Sequence, residues 1–592
     1  MCGIAGELRF DARPADPAPV FRMCSQMARR GPDGDGVWAA GRVAFGHRRL
    51  KIIDLSEQAA QPMIDAELGL VVVFNGCIYN YRQLREELTT AGYRFFSRSD
   101  TEVIGKAYHR WGADCVRRFQ GMFAFAVLDR ASGTVLLARD RLGIKPLYLA
   151  ESAGRLRFAS TLPALLAAGD VDTSIDPVAL HHYLSFHSVV PAPRTILAGI
   201  RKLPPATVRV VHVDGTASEH RYWSVRHERV LPDRTAREWA DELLDTLRGA
   251  VRRRMVADVG VGVLLSGGID SSVIVALLAE QGQRGLRTFS VGFEAAGGEC
   301  GDEFAYSDLV ARRFGTDHQK ILVPAADVLE GIDETVAAMS EPMVSHDCVA
   351  FYLLSREVSR SVAVVQSGQG ADEVLAGYDW YPPLASVPRA DAVGAYTRVF
   401  VDRPHHRLAE ILEPEWLLDH DPSAQFVADH FAAPGADTTL DAALRLDSSV
   451  MLVDDPVKRV DNMTMAWGLE ARVPFLDHEL VELAAGCPPQ PKLADGGKGV
   501  LKRACRGLLP DEIIDRPKGY FPVPAIRQLS GGFLDKVRDA VTDPAAKARG
   551  VVRADYLERM LAAPNDDRTT LGANALWQVA LLEMWLRERG IG

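Results

Sequence analysis

Cys2 follows the initiator methionine directly. Removal of that methionine would leave one residue carrying both a thiol and a free α-amine. Such an amine, with an ordinary pKa near ~8, can take the proton of its own side chain. A cysteine at a frayed terminus is commonplace, so Cys2 gains weight only from its downstream context. A second chemical segment is Ser266-Gly267-Gly268-Ile269-Asp270-Ser271-Ser272, between an apolar run over 259–265 and an apolar helical pattern over 271–280. Glycines permit a tight turn whose N–H groups face phosphate oxygens, a helix N-terminus adds partial positive charge, and serine hydroxyls add donors. The lysine of a GxxxxGK loop is missing, so this is a different phosphate cradle. Carboxylates come from Ser367-Gly368-Gln369-Gly370-Ala371-Asp372-Glu373, and a cation from Lys498 at the start of KGVLKRA.

In chain order, MCGI, Arg30-Gly31-Pro32-Asp33, GHRRL over 46–50, Asn75-Gly76 within FNGCIYN, and SDTE over 99–102 resemble the class II glutamine amidotransferase domain. That domain is an N-terminal-nucleophile fold, and the resemblance covers about the first 210 residues. It implies that Cys2 attacks the glutamine side-chain amide to give a thioester. Asn75 and the Gly76 N–H would form the oxyanion hole, two neutral donors aimed at developing charge. An arginine fork would hold the glutamine α-carboxylate and Asp100 the α-ammonium. Arg49 is the candidate, with Arg48 left open on spacing alone. Asparagine synthetases usually carry Glu after the Asn-Gly pair; this chain has Cys77, a neutral thiol that cannot replace the charge.

SGGIDSS in its strand–loop–helix setting resembles the ATP-pyrophosphatase loop, where ATP is cleaved between its α- and β-phosphates. KGVLKRA over 498–504 is similar to the KxxLR element of the asparagine synthase domain. VKRVD over 457–461 and EARVPFLD over 470–477 extend that resemblance across residues 237–592. It implies ATP contacts from Leu264, Ser266, Gly267, Gly268, Asp270, Ser271, Ser272, Val291, Ser367 and Gly368, with Leu264 and Val291 lining the adenine. Asp270 and Asp372 would hold Mg2+, which prefers carboxylates plus phosphate oxygens. Lys498 would face the α-phosphate. A small carboxylate acceptor then attacks that phosphorus, pyrophosphate leaves, and ammonia meets the acyl-adenylate. Ammonia must travel unprotonated, so the resemblance also implies an interior tunnel.

These groups need scaffolds. Short apolar runs at 70–74, 122–129 and 134–139, with helices at 81–90 and 101–111, predict a stacked, mostly antiparallel α/β/β/α sandwich. A strand pair around 207–213 closes it. Composition changes near Pro232, and an amphipathic helix follows over 236–254. Strands at 259–265, 288–293 and 361–366 then alternate with helices, which predicts a parallel, doubly wound sheet with helical additions. The expected division is a glutaminase domain over 2–215, a linker over 216–236 and an ATP-pyrophosphatase domain over 237–592. A chain of 592 residues is long enough for more than one core. Its net charge of -10, without a long basic block, argues against nucleic acid as a partner. The eight cysteines form no CxxC pair, so neither a zinc knuckle nor a disulfide framework is expected. No signal peptide and no apolar run near the ~18 residues of a membrane span is visible, so a cytoplasmic enzyme without a membrane partner is expected. The fold family often forms homodimers.

Gln369 stands where the usual SGEG segment has Glu; Gln hydrogen-bonds but cannot act as a base at neutral pH. The acceptor-side candidates are Gln369, Asp372 and Glu373, and SEPMVSHDCVA over 340–350 also departs from ordinary synthetases. NGCIYN, SGQGADE and HHYLSFHSVVPAPRTIL over 181–197 together resemble a subgroup that amidates N-acetylglutaminylglutamine to an osmoprotectant. That dipeptide is the preferred acceptor and aspartate the alternative. A β-lactam-forming ligase is disfavoured by intact Cys2, Asn75 and Asp100, and a catalytically dead relic by Asp270, Asp372 and Lys498.

Overall fold

The computed structural model describes residues 2–229, 234–294, 301–517 and 524–592; Pro232 and Cys300 lie outside them. Two six-stranded sheets form the N-terminal part. The first contains Gly3–Arg9 between Val43–Arg49 and Arg155–Ala159, all antiparallel. The second is built around Leu70–Ile78 and Gly121–Asp129, paired in register from Leu70↔Asp129 to Ile78↔Gly121. Side chains alternate across these strands as a pleat requires. Val71, Val73, Ala124 and Ala126 face Ile4, Phe45 and Phe158 of the first sheet, whereas Val72, Phe74, Phe123 and Phe125 face helices Tyr81–Thr90 and Asp100–Trp111. Helices Pro17–Gln26 and Leu162–Ala168 cover the first sheet's other face, which completes the α/β/β/α sandwich.

Two expectations need correction here. The strand expected to stop at residue 74 runs on to Ile78 and carries Asn75 and Gly76 within it. The second sheet continues through Ala217–Arg221, paired with Thr207–Val211, inside the segment taken as linker. Ala217–Arg221 is exposed at every position, so no apolar alternation marked it as a strand.

The long helix Ala236–Arg253 is opened by a capping box in which Thr235 and Glu238 satisfy each other's backbone N–H. Beyond it lies a five-stranded parallel sheet ordered Asp317–Val323, Arg287–Phe293, Val261–Leu264, Val364–Gln366, Glu470–Arg472. The chain fills one side of Val261–Leu264 first and returns to its other side with Val364–Gln366. The order therefore reverses there, and loops leaving the carboxyl ends of these two strands diverge around a crevice, the usual ligand position in such sheets. Helices dominate the rest. Among the described residues no helix is long and apolar enough to cross a membrane.

Candidate active sites

Cys2 immediately precedes strand Gly3–Arg9 and is held by two contacts to neighbouring elements. Its backbone N donates to Asn75 Oδ1 at 3.0 Å, and Arg30 Nε donates to its carbonyl at 3.4 Å. The Asn75 side chain is fully buried, and its other end, Nδ2, has no hydrogen-bond partner among the described residues. A buried amide left unpaired costs about 1–3 kcal/mol, so Asn75 is a donor waiting for an acceptor. Gly76 beside it has φ +154°, and a Cβ there would sit 2.1 Å from the Met122 carbonyl oxygen. Only glycine fits between the paired strands at this position. Burial pushes the Cys2 thiol up, so a thiolate forms only with a base at hand.

The structure separates the two candidate arginines by strand alternation. Arg48 points outward to Asp35 at 3.5 Å, while Arg49 is buried and lines the Cys2 cavity. Its guanidinium is braced by the carbonyls of Ser56, at 2.8 Å, and Asp54. Asp100 opens helix Asp100–Trp111 and accepts from Ile78 N at 3.0 Å. Burial, with the nearby Glu470 charge, pushes its carboxyl up to about 6.

Glu470 and Arg472 also line this cavity, although they sit on the edge strand of the parallel sheet. Arg472 Nε donates to Glu470 Oε1 at 2.5 Å, and its other nitrogens reach Arg254 O at 2.7 Å, Val256 O at 2.8 Å and Cys77 Sγ at 3.8 Å. Burial opposes ionisation of Glu470, but Arg472 and other nearby positive charges, Lys145 among them, together hold the carboxyl below its ordinary value. Cys77, fully buried, is a neutral thiol whose pKa burial raises further. The sequence reading missed this pair. The available signal was the pattern Glu-Ala-Arg in a short strand, two charges that no solvent-facing edge explains.

In the parallel sheet, Ser266–Ser272 turns tightly. Ser266 and Ser271 hydroxyls lie 3.1 Å apart, Gly268 N donates to Ser266 Oγ at 3.3 Å, and helix Ile269–Glu280 begins without a side-chain cap, leaving its first N–H groups for a ligand. Gly267 has φ +78°, and a Cβ there would come within 2.6 Å of Ser307 N. Leu264, Ser266, Asp270, Ser271, Val291, Ser367, Gly368, Gln369 and Asp372 line one cavity together. Phe289, Asp302, Glu303, Phe304, Phe351 and Leu354 line it too, none of them found from sequence. Ser272, expected at the same site, does not line this cavity; it is fully buried one turn into the helix, and its Oγ has no partner among the described residues.

Lys498 bridges the two carboxylates assigned to metal, 2.6 Å from Asp270 Oδ2 and 2.8 Å from Asp372 Oδ1. Burial works against its ammonium, but the two carboxylates more than offset this and raise its pKa. Glu373 faces inward and accepts from Tyr378 OH at 2.8 Å. Burial and the adjacent Asp372 push it up to about 7.

A seam of buried ion pairs starts at Arg30, beside Cys2. Arg30 and Lys145 reach Asp461 at 2.9 and 3.3 Å, Lys202 reaches Asp454 at 2.7 Å and Glu341 at 3.1 Å, and Lys458 reaches Glu341 at 3.5 Å. All of these side chains are buried. Unpaired, any of them would be costly in this setting, so each fixes its partner's position, and the pairs of Arg30, Lys145 and Lys202 join the two halves of the chain.

Comparison with known proteins places the chain among relatives of both parts. Residues 1–223 match the glutamine amidotransferase domain and residues 242–587 match asparagine synthase. Asparagine synthetase [glutamine-hydrolyzing] 1 of Bacillus subtilis is 30% identical over 99% of this chain and 96% of its own length. Asparagine synthetase B of Escherichia coli is 28% identical over 88% of this chain and 82% of its own. Amidase chry2 of Gibberella zeae is 26% identical over 93% of each.

Proposed function

The chain belongs to the asparagine synthase family, and from that premise we propose that it is a glutamine-hydrolysing, ATP-dependent amidotransferase that converts a carboxylate to an amide. The observation that carries the reading is Asn75: its carbonyl holds the Cys2 nitrogen while its buried amide has no partner among the described residues. A tetrahedral oxyanion formed on glutamine by Cys2 would supply that partner, together with the Gly76 N–H. Arg49 takes the glutamine α-carboxylate, and Asp100 the α-ammonium. Glu470, whose carboxylate reaches the same cavity from the other half of the chain, adds the negative charge that Cys77 does not supply.

Ammonia leaves Cys2 and crosses the buried seam toward the ATP cavity. There the 266–272 loop cradles phosphates, with Leu264 and Val291 against the adenine. Asp270 and Asp372 would hold Mg2+, which neutralises phosphate charge when bound; their fit to a cation is supported by the ammonium they already bracket. Lys498 moves onto the α-phosphate as charge builds there. The acceptor lies beside Gln369, with Asp372 and Glu373 close by.

For the acceptor we infer N-acetylglutaminylglutamine, on the strength of Gln369 in place of a base and of the 181–197 segment; aspartate is the alternative. Purified protein with Mg-ATP and glutamine is offered either acceptor, and pyrophosphate and amide are measured by mass spectrometry. Amidation of the dipeptide with aspartate inert supports the inference, and asparagine formation refutes it while leaving the amidotransferase reading intact. Cys2→Ala should abolish glutamine-driven amidation and spare the ammonia-driven reaction; survival of glutamine use would remove Cys2 as the nucleophile.

A further inference from the structure

The 181–197 segment begins with two histidines that neither active site uses. His181, on helix Pro177–Ser185, is buried, and its Nε2 lies 2.9 Å from His405 Nδ1 and 3.7 Å from Asp421 Oδ1. His405 opens the short helix His405–Leu408, and Asp421 caps helix Pro422–Ala432. The three side chains therefore converge from separate segments, with ligand atoms all within 4.8 Å of one another. Around a tetrahedral Zn2+ with ligand bonds of ~2.0–2.2 Å, neighbouring donors stand about 3.3–3.5 Å apart. The His181–His405 separation falls short of that spacing, the His181–Asp421 separation slightly exceeds it, and every pair lies within 4.8 Å.

The far side of His181 is also built. Its Nδ1 is 2.8 Å from Ser423 Oγ, and His182 Nδ1 is 2.9 Å from the same oxygen. One hydroxyl proton cannot serve two ring nitrogens, so at least one of these rings donates to Ser423. When His181 is that donor, its Nε2 lone pair is aimed at His405 and Asp421, the outer-sphere bond that orients a metal-ligating histidine. Imidazole nitrogens with a carboxylate suit zinc rather than magnesium or calcium, which take oxygen donors.

We propose that His181, His405 and Asp421 form a structural zinc site that pins helix Pro177–Ser185 to the helical region around residues 405–432. Its position lies outside both cavities, so the metal ties the two halves of the chain together without touching either reaction.

Metal-stripped full-length protein titrated with Zn2+ against a chromophoric chelator should bind one equivalent. His405→Ala and Asp421→Ala, both at partly exposed positions, should each weaken that binding at least ~100-fold and leave amidotransferase turnover unchanged. Zn2+ should raise the melting temperature of the parent protein and not that of the double variant. Co2+ substitution gives a readout independent of stability, namely intense visible d–d bands of a tetrahedral site. Equal zinc affinity in parent and double variant, or an absence of Co2+ bands in the parent, overturns the proposal and leaves His181–His405 as an ordinary hydrogen bond.

Discussion

Lys498→Met tests whether the ammonium is a placeholder for the metal. In the structure Lys498 Nζ lies 2.6 Å from Asp270 and 2.8 Å from Asp372, with its side chain 9% exposed and the carboxylates 23% and 21% exposed. Each contact has a gross Coulomb energy of about 6 kcal/mol at an effective dielectric near 20, most of it cancelled by desolvation. Removing one partner of a buried pair typically leaves a deficit of about 3–5 kcal/mol; with both carboxylates partly solvated, ~3 kcal/mol is the better figure. A divalent cation entering the variant recovers that deficit, whereas in the parent protein it must first expel the ammonium. Nucleotide-free Mg2+ affinity should therefore rise about 100-fold in Lys498→Met. Calorimetric titration of Mg2+ into both proteins without ATP measures this directly, and Lys498→Arg, which keeps the charge, should stay near the parent. Loss of amidotransferase turnover alone would not discriminate, because a phosphate-binding lysine predicts it as well. Equal nucleotide-free Mg2+ affinity in parent and Lys498→Met would refute the placeholder.

Two further substitutions probe the glutamine cavity. Asp100 has a folded-state pKa raised to about 6 from 3.8, so its contribution to stability is fully present below pH 3.8 and is lost as pH rises through 6. Asp100→Asn should accordingly match the parent's stability near pH 4 and exceed it by about 1–3 kcal/mol at pH 8 in urea titrations. The same substitution should raise KM for glutamine and remove the parent's loss of affinity below pH 6, because only the ionised carboxylate attracts the α-ammonium. Gly76→Ala, which sets a methyl 2.1 Å from the Met122 carbonyl oxygen at φ +154°, should eliminate glutaminase turnover and destabilise the protein by several kcal/mol, read by thermal melting.

Local chemistry was readable in this chain where the backbone itself is the device. Gly267 and Gly76 mark places where a side chain cannot stand, and those positions fall where the sequence put them. Arg48 and Arg49 could not be told apart until the strand was known, since a period of two sends neighbours to opposite faces. Ser272 is adjacent to Ser271 in sequence but lies about 100° round the helix from it, and it is fully buried. The buried seam was illegible because Arg30, Lys145, Lys202 and Lys458 look like surface cations in composition. Only tertiary placement shows each one facing a carboxylate.

The least legible feature has the most mechanistic weight. Cys77 reads as the loss of a charge that glutamine needs, and by itself it suggests a weakened site. Glu470 and Arg472, some 400 residues away in sequence, restore a carboxylate to the cavity and pair the thiol with a guanidinium. Their strand is hydrogen-bonded to Val364–Gln366, and Arg472 O accepts from Ser367 N at 2.8 Å, the first residue of a loop lining the ATP cavity. One three-residue strand thus offers its side chains to the glutamine cavity and its backbone to the ATP loop. That hydrogen bond and the strand pairing behind it link the glutamine cavity, which Arg472 lines, to the loop of the ATP cavity. The glutamine cavity, with a neutral thiol at Cys77, thus takes its carboxylate Glu470 from the strand whose backbone also holds the ATP loop.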